Sequence, residues 1–121
     1  MSKSKILVVE DSVTEMMLIV SPLRAEGYDV VTAKDGDEAL KSLDKESPDL
    51  VLLDVIMPGQ NGFQICRQIR RDARYGALPV ILLTSKDQEA DKFWGLKQGA
   101  TEYMTKPFDM RSLLATIRRH V

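Results

Sequence analysis

Five short apolar runs, rich in valine, isoleucine and leucine, recur along the chain at residues 6–9, 30–32, 50–53, 80–83 and, more weakly, 101–104. Stretches of about ten to fifteen residues, with apolar positions at helical spacing, separate them. The runs do not alternate with polar residues, which is typical of strands covered by helices on both faces. Because strand and helix alternate along the chain, the pattern predicts a doubly wound α/β fold with a parallel sheet.

Capping residues and glycines mark where the predicted helices begin and end. Ser12 and Glu15 fit a capping box at the start of the first helix, where each side chain would satisfy a free backbone N–H group. Gly27 and Gly99 are predicted to end the first and fourth helices. Pro22 falls inside the first helix, where proline removes a backbone hydrogen bond, and it predicts a kink.

Composition and charge exclude several classes of protein. The 121 residues contain no repeat, low-complexity tract or linker, and they predict one domain over 1–121. With 17 Lys and Arg against 18 Asp and Glu, the near-neutral chain favours neither nucleic acid nor an anionic membrane as a partner. No apolar run approaches the roughly 20 residues that cross a bilayer, so we expect no membrane insertion. The start of the chain has no signal-peptide core.

The cysteine and histidine content narrows the chemistry further. A single cysteine, Cys66, excludes an internal disulfide and suits a reducing cytoplasm, where we expect the protein to act. His120 is the one histidine, near the far end of the chain. A single cysteine and a single histidine, far apart in the sequence, indicate neither a metal site nor a thiol protease.

Polar residues follow four of the predicted strands where each one ends. In open α/β sheets the ligand binds beyond the carboxyl ends of the strands, so these residues should face one pocket. They are Glu10 and Asp11 after the first strand, Asp54 after the third, Thr84 after the fourth and Lys106 after the fifth.

The chemistry of this set favours a magnesium ion and a phosphoryl group. Clustered carboxylates repel one another, so they share a proton or bind a hard cation. Oxygen ligands beside a phosphate suit Mg²⁺, and three carboxylate charges would be balanced by Mg²⁺ and Lys106. Asp54 can serve as the nucleophile, since phosphoryl transfer needs mainly positioning and stabilisation of charge.

Each residue taken alone also has a simpler explanation. The acidic pair could lie in a solvated loop, Asp11 or Thr84 could cap a helix, and Lys106 could face water. All of them at the ends of the right strands, in one short chain, favour the phosphoryl-accepting pocket.

Longer motifs add a family resemblance over nearly the whole chain. The segments ILVVEDS (6–12), PDLVLLDVIMPGQNG (48–62), PVILLT (79–84), GA (99–100) and YMTKPF (103–108) resemble those of two-component response-regulator receiver domains. The resemblance implies a flavodoxin-like fold, with a five-stranded parallel sheet in the order 2-1-3-4-5 and five helices. It also implies a single receiver domain over 1–121 with no output domain.

The resemblance assigns a role to each pocket residue. Asp54 is similar to the phosphoacceptor and Asp11 to the direct Mg²⁺ ligand, with Glu10 acting largely through water and the Ile56 carbonyl completing the metal ligands. Glu10 stands where many relatives have Asp, a common variant.

Other residues resemble the moving parts of a receiver. Thr84 is similar to the hydroxyl that follows the phosphoryl group on activation, and Tyr103 to the aromatic that then turns inward. Lys106 resembles the ammonium that pairs with the phosphate, and the resemblance implies a cis bond between Lys106 and Pro107.

The function implied is a phosphorylation-dependent signalling switch, not a conventional enzyme. The phosphoryl group would come from a histidine kinase or a histidine phosphotransfer protein, and water would later remove it. The signal would reach a downstream target protein through a face formed by the fourth helix, fifth strand and fifth helix, where we place Trp94, Lys97, Tyr103 and Arg111. Residues 86–95 also resemble single-domain regulators of twitching motility and related chemotaxis-like systems.

Two features leave alternatives open. Ile56 and Lys86 would flank the path of the hydrolytic water, and an apolar side chain at 56 cannot orient it, so the phosphoryl lifetime is not fixed. Helical spacing places Phe93, Leu96 and Ala100 on the core face of the fourth helix. Trp94 should then be partly exposed, either lying over its neighbours or contacting a partner.

Competing functions make different demands on the pocket. A phosphorylation-independent interaction module on the same fold predicts a damaged pocket, whereas every pocket residue is present. A hydrolase with an Asp nucleophile, of the dehalogenase type, needs a second Asp at position 56, where Ile56 stands. A flavin site is disfavoured because carboxylates, not a phosphate cradle, follow the first strand.

Overall fold

The computed structural model describes residues 3–57 and 59–121. Met1, Ser2 and Pro58, which belong to the predicted domain and its motifs, lie outside the described residues. The elements are β1 (Lys5–Val9), α1 (Val13–Ala25), β2 (Asp29–Ala33), α2 (Gly36–Glu46), β3 (Leu50–Asp54), α3 (Gly62–Arg71), a short 3₁₀ helix (Ala73–Tyr75), β4 (Val80–Thr84), α4 (Glu89–Lys97), β5 (Glu102–Thr105) and α5 (Met110–Arg118). Each strand lies within about one residue of the apolar run that predicts it.

The five strands form one parallel sheet in the order β2-β1-β3-β4-β5. This is the flavodoxin-like order, and with five α-helices around it the predicted fold is confirmed. Because β1 and β3 are central, their carboxyl ends lie side by side, with the end of β4 next to them.

Two cores, one on each face of the sheet, explain why the apolar runs do not alternate. Leu7 and Val9 of β1 pack on one side with residues of α2 and α3, including Leu43 and Ile65. Ile6 and Val8 face the opposite side, where residues of α1 and α5 cover them. Every position of β3, and every position of β1 after Lys5, is therefore buried, as parallel sheets between helix layers require.

The ends of α1 follow the predicted signals in part. Ser12 Oγ accepts a hydrogen bond from the Glu15 N–H at 3.3 Å, which caps the helix as predicted. The Glu15 carboxylate, however, accepts from Lys106 rather than from the Ser12 N–H. Gly27 has a positive φ of 94° beyond the end of α1, a conformation that suits glycine. Pro22 lies within α1, which continues to Ala25, and the kink stays a prediction.

The predicted core face of α4 is wrong for Phe93 and Leu96, whereas Ala100, which lies beyond the end of the helix, packs against the core. The side chains of Phe93 and Leu96 are 65 % and 42 % exposed, while Gly95 is the buried residue of this helix. A Cβ at Gly95 would meet the ring of Tyr103, so the helix packs closely through its smallest residue. With Gly95 packed against Tyr103, the side chains of Phe93 and Trp94 face solvent. Trp94 is about half exposed, as predicted.

Among residues 3–57 and 59–121, no helix has the length and apolar character needed to cross a membrane.

Candidate functional site

The predicted strand-end residues lie at one edge of the sheet. Asp54 is the last residue of β3 and Thr84 the last residue of β4, and both are buried. Glu10 directly follows β1 and is 2 % exposed, with its backbone N–H bonded to the carbonyl of Ala33 in the neighbouring strand. Two buried carboxylates at adjacent strand ends make this edge strongly acidic.

Lys106 supplies a positive charge to the acidic edge. Its Nζ lies 3.1 Å from Glu15 Oε1, 3.3 Å from Glu10 Oε1 and 3.8 Å from Asp54 Oδ2. The Lys106 backbone N–H donates to the carbonyl of Thr84 at 2.7 Å, which fixes the end of β5 beside β4. The bond between Lys106 and Pro107 is cis, as predicted.

Glu15 also belongs to this cluster, although its sequence pattern predicts only a role in capping α1. Carboxylate oxygens of Glu10, Glu15 and Asp54 all lie within 4.8 Å of one another. The available signal was its place in the first turn of the helix that follows β1, because such a side chain points back over the strand end.

Asp11 lies at the rim of the same pocket. It is exposed, and its backbone N–H donates to Glu10 Oε2 at 3.0 Å. This bond orients the Glu10 carboxylate, while the Asp11 side chain lines the cavity beside Asp54.

Burial and mutual repulsion shift the pKa values of the cluster. Burial, then the hydrogen bond and charge of Asp54, raise the pKa of Glu10 to about 8. Burial opposes the charge on Lys106, but the hydrogen bond to Glu15 and the charges of Asp54 and Glu10 prevail and raise its pKa. The hydrogen bond from Lys106 lowers the pKa of Glu15. The cluster therefore keeps its ammonium and tends to hold one extra proton on Glu10.

The loop after β3 holds the Asp54 carboxylate in place. The N–H of Ile56 donates to Asp54 Oδ1 at 3.3 Å, and the side chain of Ile56 is about half exposed at the pocket. The N–H of Gly62 donates to the carbonyl of Val55 at 2.9 Å. A Cβ at Gly62 would collide with the backbone carbonyl of Asp54, so only glycine permits this approach.

The two predicted switch residues both hydrogen-bond to the backbone of Lys86. Thr84 Oγ1 accepts from the Lys86 N–H at 3.1 Å, and the Tyr103 hydroxyl donates to the Lys86 carbonyl at 2.8 Å. Thr84 is fully buried, while its neighbour Ser85 lines the cavity. Burial raises the pKa of the half-buried Tyr103 to about 12, so its hydroxyl stays a donor at neutral pH.

A cavity of about 720 Å³ opens above these residues. The polar residues that line it are Asp11, Ser12, Glu15, Asp54, Ser85 and Lys106, and the apolar ones are Leu18, Ile19, Ile56, Pro107, Phe108 and Met110. The cavity is large enough for a phosphoryl group together with part of the molecule that delivers it.

Comparisons with known proteins agree with this geometry. Residues 6–118 match the family model for the response regulator receiver domain. Protein PilH of Pseudomonas aeruginosa is 48 % identical over 114 residues, which cover 94 % of each chain. The alkaline phosphatase synthesis transcriptional regulatory protein PhoP of Bacillus subtilis is 46 % identical over 94 % of this chain, which spans 47 % of that protein.

A solved structure gives the same answer for the fold. The chemotaxis protein CheY4 of Vibrio cholerae superimposes with a TM-score of 0.93 at 34 % identity, covering 99 % of this chain and 100 % of that one. The fold and the family match agree. The chain belongs to the response regulator receiver domain family, whose members are phosphorylation-based signalling switches rather than conventional enzymes.

Proposed function

We propose that this protein accepts a phosphoryl group on Asp54 from a histidine kinase or a histidine phosphotransfer protein, with Mg²⁺, and then changes its contacts with a downstream target. The observation that carries the proposal is the buried Asp54 carboxylate 3.8 Å from the ammonium of Lys106, at the floor of an open cavity. A nucleophile beside a fixed cation is what phosphoryl transfer requires of a protein.

The donor set fits a magnesium ion. The clustered carboxylates of Glu10, Glu15 and Asp54 offer oxygen atoms only, and one ammonium does not neutralise them. Glu10, Asp11, Asp54 and the carbonyl of Ile56 are the groups we expect to hold the ion. Bound there, Mg²⁺ would neutralise charge on the phosphoryl oxygens.

The covalent step needs few groups from the chain. An Asp54 carboxylate oxygen attacks the phosphorus of a phosphohistidine, a P–O bond forms and the P–N bond breaks. The departing imidazole keeps the electron pair of that bond and takes up a proton. Lys106 stabilises the negative charge that the phosphoryl oxygens carry, because it lies between Asp54 and the other carboxylates. A water molecule later attacks phosphorus, the P–O bond to Asp54 breaks, and inorganic phosphate leaves as the Asp54 carboxylate is restored.

The change in target binding starts from Thr84 and Tyr103, which both hydrogen-bond to the backbone of Lys86. A phosphorylated Asp54 brings strong acceptor oxygens, and the Thr84 hydroxyl is a donor near them. Its movement would release the Lys86 N–H and so disturb the bond from Tyr103. We infer that the face of α4, β5 and α5, including the half-exposed Trp94, then binds a target differently.

Cellular context rests on similarity. Residues 86–95 resemble regulators of twitching motility and chemotaxis-like systems, and we place the protein in such a system in the cytoplasm. Cys66 is buried and burial raises the pKa of its thiol to about 11, so it has no evident role in the signal.

Mass spectrometry tests the acceptor directly. Incubated with a small phosphodonor and Mg²⁺ and quenched in acid, the protein should gain the mass of one phosphoryl group. Asp54→Ala should lose that gain, while Asp37→Ala, which removes an exposed carboxylate at the start of α2, should keep it. Undiminished labelling of Asp54→Ala would move the acceptor elsewhere. If the protein without substitutions gains no phosphoryl group, the result would favour a phosphorylation-independent interaction module.

A further inference from the structure

Of the three carboxylates around the Lys106 ammonium, that of Glu15 lies nearest to it. The ammonium lies 3.1 Å from Glu15 and 3.8 Å from Asp54, so in this structure it sits closer to the helix carboxylate than to the acceptor. Glu10, at 3.3 Å, lies between them. The Lys106 ammonium is therefore shared between the helix carboxylate and the acceptor.

The charge of Glu15 opposes the reaction proposed above. Phosphorylation converts one negative charge on Asp54 into about two. The Glu15 carboxylate lies within 4.8 Å of that of Asp54, so it competes with the phosphoryl oxygens for the same ammonium. Mg²⁺ at the proposed site would, together with Lys106, balance the charges of Glu10, Asp11 and Asp54, and the charge of Glu15 would then be in excess.

The fold does not require the Glu15 carboxylate. The cap of α1 uses the Ser12 hydroxyl and the backbone N–H of residue 15, which any side chain at 15 retains. The Glu15 side chain is 47 % exposed, so its pair with Lys106 adds little to stability.

We propose that Glu15 is a positioning residue that shares the Lys106 ammonium with Asp54 and so weakens the pairing of Lys106 with an arriving phosphoryl group. The inference rests on the proposed function. It gives Glu15 control over how readily the protein is phosphorylated, because its charge competes with the phosphoryl oxygens for that ammonium.

Calorimetric titration with fluoroberyllate, a phosphoryl mimic, tests this at saturating Mg²⁺. Glu15→Gln should bind the mimic about three- to tenfold more tightly than the unmodified protein, since the competing charge is gone. Glu15→Asp keeps the charge but shortens the side chain by one methylene, so it should lose the contact and bind the mimic more tightly as well. Glu26→Gln, the same substitution at the exposed far end of α1, should have no effect.

Each other outcome overturns the proposal. Equal affinities for the unmodified protein and Glu15→Gln would make Glu15 a bystander, and Glu15→Asp matching the unmodified protein would assign the effect to charge at a distance. A tenfold or greater loss of Mg²⁺ affinity in Glu15→Gln, titrated without fluoroberyllate, would make Glu15 a metal ligand instead. If the unmodified protein does not bind fluoroberyllate, the proposed function fails, and the role of Glu15 fails with it.

Discussion

At the scale of single residues, one ammonium lies among three carboxylates. Burying a carboxylate without a full counter-charge is costly, and the shifted pKa of Glu10 reports that cost. Lys106 offsets only part of it, because it is shared between Glu10, Glu15 and Asp54. A cation bound among these carboxylates would offset more of that cost.

The first prediction concerns stability against pH without metal. The pKa of Glu10 is about 8 in the folded protein and 4.5 ordinarily, so between these values the folded state binds a proton that the unfolded chain has lost. Stability should therefore fall as pH rises through this window, by about 1–3 kcal/mol between pH 5 and 8. Urea unfolding in the presence of a chelator measures it.

Glu10→Gln is the control for this prediction. A glutamine does not titrate, so the slope of unfolding free energy against pH should flatten between pH 5 and 8. Groups with lowered pKa values, such as Glu15 and Glu102, affect stability only at more acidic pH. An unchanged slope in Glu10→Gln would show that another group titrates.

Most of the candidate site follows from the sequence because strand ends are easy to recognise. Glu10, Asp54 and Lys106 each follow an apolar run, and the topology brings those ends together. Glu15 could not be found in the same way. A local capping pattern already explains a glutamate at position 15, so the sequence indicates no further role for its side chain. The structure shows that the carboxylate instead accepts a hydrogen bond from Lys106.

At the scale of elements, the position of α4 depends on one glycine. A Cβ at Gly95 would lie 2.8 Å from Tyr103 Cδ2 and 3.0 Å from Leu82 Cδ1. The helix therefore packs on β4 and β5 through bare backbone, and Phe93 and Trp94 face outward. The spacing of apolar residues predicts that the face of Phe93 and Leu96 is buried, because that pattern depends on large side chains and a glycine contributes nothing to it.

The second prediction is that Gly95→Ala destabilises the protein. Overpacking at this contact should cost about 1–3 kcal/mol, which the gain of about 1 kcal/mol in helix propensity offsets only in part. Chemical unfolding followed by Trp94 fluorescence measures the loss. Gly76→Ala is the matched control, since its Cβ would meet nothing closer than 3.7 Å and φ there is −61°. A stabilised Gly95→Ala would mean that α4 can move away from the sheet at little cost.

The strands were predictable for a physical reason that does not extend to α4. Leu52 and Leu53 lie on opposite faces of a central strand, yet both are buried, so the whole run is apolar. A helix buries only one side, and α4 has apolar residues on its exposed side. Its place in the fold is set by tertiary contact more than by its own pattern.

At the scale of the whole molecule, the acceptor site and α4 are connected through the backbone of one residue, Lys86. Thr84, at the end of β4, accepts from the N–H of Lys86, and Tyr103 of β5 donates to the carbonyl of the same residue. Between them the two bonds fix the start of the loop that leads to α4. A change at Thr84 therefore has a short path to α4, through Lys86 and the ring of Tyr103, which packs against Gly95.

The last prediction follows from this path. Fluoroberyllate with Mg²⁺ should shift the NMR signals of the loops around Asp54 and also those of residues 84–112, while the signals of β1 and β2 away from the pocket stay near their positions. The reason is that acceptor oxygens on Asp54 draw the Thr84 hydroxyl from Lys86, and the bond from Tyr103 must adjust. Backbone amide shift mapping with and without the mimic measures it.

Thr84→Val supplies the decisive comparison, since valine has nearly the shape of threonine but lacks the hydroxyl. The variant should still bind the mimic, because Asp54 and Lys106 are intact, but the shifts at Trp94 and Tyr103 should shrink by at least about half. Shifts confined to the loops around Asp54 in the unmodified protein would place the output on another surface. Full shifts across α4 in Thr84→Val would mean that the signal reaches α4 without the hydroxyl, through the β5–α5 loop that carries Lys106.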